Sequence, residues 1–227
     1  MRHITVKGYH SMKQRRPASL LIVFLVLLVL TLTGCHKIKG PRETIDDYLK
    51  EVQTNPYSMT TFISSLKSEY RSQIEDLLKE FEYEILDEIE IDDSESGAER
   101  KAYWVTFTGY DIGTYFKDFL DNSWADTLML LGQDHSYEEL NDMMENDPEQ
   151  FNDLFHAANL KVFTGYMNDC REAGKTYHTE EGQYGIVVVK YKDPEKWATN
   201  PLAGANHLDW ITNGVYTAWK DYKSSNQ

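Results

Sequence analysis

The sequence predicts an α+β domain, and three observations predict it. Apolar side chains recur at three- and four-residue steps over residues 41–81, the period of a helix. Residues 83–107 switch to alternation, the period of a strand with one wet face. Helical spacing then returns over residues 112–170, before a last apolar run at 184–189. Runs of helix and runs of strand, without a repeated strand–helix unit, argue for an antiparallel sheet packed with helices.

Pro41 to Gln53 reads as a short helix with Ile45, Tyr48, Leu49 and Val52 on one face, stopped by Asn55-Pro56. Phe62, Ile63, Leu66, Tyr70, Ile74, Leu77, Leu78 and Phe81 make a second stripe and predict a second helix. Tyr83, Ile85, Ile89 and Ile91 then alternate with Glu84, Glu88 and Glu90, and Tyr103, Val105 and Phe107 alternate after a polar turn at 92–100. Residues 82–109 are therefore an antiparallel hairpin with a long loop.

Asp111 is placed to cap a third helix carrying Ile112, Tyr115, Phe116, Phe119, Leu120, Trp124, Leu128 and Leu131. Ser136-Tyr137-Glu138-Glu139 is a capping box, and Asp147-Pro148 opens a further helix that Gly174 ends. These are extra helices between the second and third strands. Thr176–Thr179 is a local pairing segment, and Tyr184–Val189, apolar on both faces, is a central strand. Residues 193–206 read as a Pro- and Gly-containing loop, His207–Ile211 as a short strand, and Gly214–Tyr222 as a closing helix with Val215, Ala218 and Trp219 inward.

The amino terminus is of a different kind. Arg2, Lys7, Lys13, Arg15 and Arg16 precede eleven consecutive apolar residues, Leu20–Leu30, and then Thr31-Leu32-Thr33-Gly34. That order of positive region, apolar region and small residues is a secretory signal. Leu32-Thr33-Gly34-Cys35 resembles the bacterial lipobox. The resemblance implies recognition of Leu32, Thr33 and Gly34 by the signal peptidase, and lipid attachment at Cys35 with palmitate-type chains. The competing reading is an uncleaved anchor, but 18–34 is at the low edge of a bilayer span. Arg15-Arg16 lacks the continuation of a twin-arginine signal. A diacylglyceryl group supplies two chains, and each buried methylene contributes about 0.8 kcal/mol, so such a tether would be permanent. The expected organisation is a signal peptide at 1–34, a lipidated terminus and short tether at 35–40, and one extracytoplasmic domain at 41–227, held at the cell membrane.

With five of the 23 Lys and Arg and none of the 37 Asp and Glu in the leader, residues 35–227 carry 18 basic and 37 acidic side chains, a formal charge of −19. That excludes nucleic acid as a partner and disfavours anionic lipid surfaces. The chain has two cysteines. If Cys35 carries lipid, Cys170 has no intrachain partner, and its helical position suits a small buried hydrophobe.

The order of helices, long hairpin, helix and late strands resembles the NTF2-like, or cystatin-like, α+β fold: a curved antiparallel sheet packed with helices. More narrowly it is similar to small Gram-positive lipoproteins that carry this domain. The residues that carry the likeness are the leader through Cys35, Tyr83-Glu84-Ile85, Ala102–Phe107 running into Tyr110-Asp111-Ile112-Gly113, and Asp209-Trp210-Ile211. The stretch 136–173 is longer than the resemblance implies and reads as an insertion that alters or covers the concave face of the sheet. Because this fold hosts enzymes, binding modules and scaffolds, the resemblance implies no particular chemistry.

Asp87 shares parity with Tyr83, Ile85, Ile89 and Ile91, so it is expected on the apolar face, where a carboxyl's pKa rises toward general acid or base use. The plainer alternative is a bulge that turns it to water. The acidic turn Asp92-Asp93-Ser94-Glu95-Ser96-Gly97 fails as an EF-hand loop, because Tyr103 stands at the twelfth position. His135, His156, His178 and His207 are scattered and predict no metal site. Neither a phosphate-binding Gly loop nor a nucleophile elbow occurs, and no cofactor is implied. Trp197, in the long loop, is a candidate binding residue at the lip of a cup, or a staple for the loop. The function expected is a membrane-anchored, non-enzymatic binding module for a ligand or envelope protein. A hydrolase or isomerase using Asp87 is the alternative. A solute-binding component of a transporter comes third, since the chain lacks two α/β lobes.

Overall fold

The strand pair expected over residues 82–109 is the spine of the domain. The computed structural model describes residues 38–91, 98–200 and 203–225. Leu32, Thr33, Gly34 and Cys35, the acidic turn at 92–97 and Pro201 lie outside the described residues. Glu82–Ile89 (β1) pairs antiparallel with Arg100–Gly109 (β2), Tyr83 opposite Phe107 and Ile85 opposite Val105. The second side of β2 takes Tyr177–His178 (β3) opposite Thr108 and Gly109, and Gly185–Lys192 (β4) opposite residues 100–104. Glu195–Thr199 (β5) pairs with β4, giving a curved, unclosed antiparallel sheet in the order β1-β2-β4-β5.

The helices are Pro41–Thr54 (α1), Tyr57–Thr60 (α2), Ser68–Leu78 (α3), Ile112–Leu131 (α4), Tyr137–Asn146 (α5), Pro148–Ala173 (α6), Gly204–Thr212 (α7) and Val215–Ser225 (α8). The caps read from sequence close as expected. Asp111 Oδ1 accepts the Thr114 N–H at 3.3 Å, Ser136 and Glu139 exchange both bonds of a capping box, and Asp147 Oδ1 accepts the Gln150 N–H at 3.1 Å. Each such cap stabilises its helix by about 1 kcal/mol.

The sheet curls around α1. Gln53 Nε2 donates to the Phe81 carbonyl, the Tyr83 hydroxyl donates to Asp46 Oδ1 at 2.7 Å, and Arg42 Nη1 donates to the Leu86 carbonyl at 2.8 Å, so α1 runs along β1. The same helix also packs on β4 and β5, and buries Ile45, Leu49 and Val52. Tyr83, Ile85, Tyr103, Val105, Phe107, Ile186 and Val188 meet it from the strands, with Leu208 and Ile211 of α7. The concave face is therefore filled by side chains. Burying each large aliphatic or aromatic chain contributes roughly 1.5–3 kcal/mol. On the convex face Ile89 Cδ1 and the Trp104 ring crowd over Gly185, where a Cβ would come within 2.6 Å of Ile89.

Four expectations change. The 62–81 stripe is not one helix: a 3-10 turn at Thr61–Ile63 ends before Ser64, and α3 begins only at Ser68. Thr60 and Thr61 turn their hydroxyls onto backbone carbonyls, Thr60 Oγ1 to Tyr57 at 3.2 Å and Thr61 Oγ1 to Ser58 at 2.7 Å. Residues 195–199 are a strand rather than loop: they pair antiparallel with β4, Lys192 opposite Glu195 and Lys190 opposite Trp197. His207–Ile211 lies in a helix, with Leu208, Ile211 and Thr212 buried at helical spacing and Asn213 in the left-handed conformation closing it. The helices of 136–173 do not lid the concave face; α6 packs chiefly on α4 and α3, and α5 on α6 around Leu131, Leu140, Phe151 and Ala158.

Candidate functional site

Asp87 is exposed. The register slips between Ile85 and Glu88, where three residues of β1 span two of β2, and the extra residue breaks the parity that pointed Asp87 inward. Arg42 braces this bulge through the carbonyls of Ile85 and Leu86. Asp87 borders an open surface cleft of about 560 Å³ with Arg42, Glu84, Trp104 and Glu181. Trp197 stands on β5, half-buried against the core, with the Lys190 ammonium 6.0 Å from its ring centroid. It packs the edge strand β5 onto the core. Cys170 is fully buried, and burial pushes its thiol up to about 12, so it is an unreactive core residue.

The four histidines stay apart. His178 Nδ1 meets Thr108 Oγ1 at 3.0 Å on the sheet surface, and His207 Nδ1 meets the Tyr48 hydroxyl at 2.8 Å in the core. Burial pulls His207 down to about 4 and pushes the Tyr48 hydroxyl well above the ordinary phenol range. Among the described residues no three His, Cys, Asp or Glu side chains gather to hold a metal ion. Nor is any described helix long and apolar enough to cross a membrane.

The site that sequence reasoning missed is a groove of about 370 Å³ on the helical side. Tyr70 of α3, Phe119 and Trp124 of α4, Phe155 of α6, and Trp219 and Tyr222 of α8 form its walls. Trp124 is 59% exposed yet packs on Phe155 at 4.8 Å between centroids, and Trp219 stacks on Tyr222 at 5.8 Å with planes 17° apart. Trp219 is fixed further by its indole N–H, which donates to Ser65 Oγ at 3.1 Å.

A directed hydrogen-bond chain lies under the groove floor. Buried Thr127 donates to the Ser123 carbonyl at 2.5 Å, Asn159 Nδ2 donates to Thr127 Oγ1 at 2.9 Å, and the Tyr70 hydroxyl donates to Asn159 Oδ1 at 2.8 Å. Burial pushes Tyr70 up to about 12, so it keeps its proton. That proton is committed to Asn159, so the Tyr70 oxygen accepts from His156 Nδ1, 3.3 Å away. The network orients the polar side chains under the groove. The only sequence signal for it was the surplus of aromatic residues on helices, which periodicity assigns to core. Compared with known proteins, the chain matches no protein family, no curated protein and no solved structure.

Proposed function

We propose that this chain is a lipid-anchored extracytoplasmic protein whose acidic domain binds a ligand without transforming it. The leader ending at Leu32-Thr33-Gly34-Cys35 supports export and a diacylglyceryl anchor on Cys35, with residues 36–40 as the tether. The curved sheet wrapped around α1 supports an NTF2-like or cystatin-like architecture with a helical insertion. The observation that carries the binding role is the groove between α3, α4, α6 and α8: aromatic walls, a solvent-open mouth and a polar floor aligned in one direction. Exposure of Asp87 over a filled sheet argues against the carboxylate enzyme.

The location is tested by adding protease to intact cells stripped of wall, with an epitope at the carboxyl terminus. The reading expects digestion without lysis. Protection until lysis would place the domain in the cytoplasm and contradict it.

A further inference from the structure

We propose that the groove takes a neutral carbohydrate chain, an inference that rests on the binding role just given and names its ligand. Three features point to that class. The first is shape. The 370 Å³ groove shares Leu120 and Tyr222 with an adjoining cleft of about 570 Å³ along α4 and α8, so the two form one trough suited to an elongated ligand. The second is the wall. Trp124 is largely exposed while held against Phe155, and the Trp219–Tyr222 pair is locked by Ser65, so flat ring faces meet the ligand with little conformational entropy to lose.

The third feature is hydrogen-bond polarity. The trough lining offers acceptors at the Asp121 and Asp221 carboxylates, donors at Lys67 and Lys117, and a hydroxyl at Ser123. Sugar hydroxyls donate as well as accept and so satisfy such a surface. A proline-rich segment presents carbonyls without N–H groups and would leave these acceptors unmet. Anionic ligands are opposed by the formal charge of −19 on residues 35–227. Basic peptides remain the rival occupant, and the test includes them.

The experiment is calorimetric titration of the full-length protein in zwitterionic nanodiscs. The probes are neutral hexasaccharides of glucose and of N-acetylglucosamine, a polyproline decamer and an oligolysine. The expected result is binding of at least one hexasaccharide, insensitive to salt, weakened about tenfold or more in Trp124→Ala and unchanged in Asp87→Asn. Trp124 is exposed enough that its truncation leaves the fold intact, which circular dichroism checks. Binding of either peptide in place of the sugars, lost in Trp124→Ala, would overturn the carbohydrate assignment and keep the groove. Absence of binding by all four probes at about 5 mM would overturn both.

Discussion

His207 is buried, and its Nδ1 meets the Tyr48 hydroxyl at 2.8 Å. Its native pKa of about 4 lies below the unfolded value of 6.5. Between those two values the unfolded chain binds a proton that the native protein refuses, so stability falls as pH drops from 6.5 toward 4. The contribution is fully present above 6.5 and amounts to about 3 kcal/mol across the window. His207→Asn keeps an acceptor for Tyr48 and removes the titration. Urea unfolding at pH 7.0 and 4.5 should therefore show a smaller loss in the variant than in the wild type, and equal losses would refute the assignment. The sequence hid this residue because His207-Leu208-Asp209-Trp210-Ile211 alternates in polarity like a strand. Asp87 misled in the opposite sense: one inserted residue in β1 leaves no mark in composition, yet it turns every later side chain over.

Among the elements, the junction of α4 with the α7–α8 turn is the tightest. A Cβ on Gly113 would lie 1.9 Å from the Asn213 carbonyl oxygen, which is backbone and cannot swing away. Asp111 locks the same junction, because its Oδ1 caps α4 and also accepts from Asn213 Nδ2 at 2.8 Å. Gly113→Ala should cost about 3 kcal/mol and lower Tm by roughly 6–12 °C. Gly185→Ala meets only the flexible tip of Ile89 and should cost under about 1 kcal/mol. Thermal melts of the two variants check this, and equal losses would show that backbone contact is not what limits the site. Helix caps and the hairpin were legible because each depends on residues close in sequence. The break after Thr60 and the strand at Glu195–Thr199 were not, since tertiary packing decides whether a Thr/Ser run or an edge segment joins an element.

For the whole molecule, the leader reading rests on charge, apolar length and small residues following one another along the chain, and it lies outside the described residues. The groove was the least readable. Tyr70, Trp124, His156 and Trp219 come from four helices spread over 150 residues, and each looks in sequence like an ordinary member of an apolar stripe. Their convergence depends on the insertion 136–173 stacking against α4 instead of covering the sheet. The described domain has its sheet packed on α1 and its aromatic groove on the helical side. The proposed anchor rests on one atom, the Cys35 sulfur. Metabolic labelling with radioactive palmitate, comparing the wild type with Cys35→Ser, tests it most directly. The account predicts label on the wild-type protein in the membrane fraction and none on the variant. Equal labelling of the variant, or an unlabelled wild type, would contradict it.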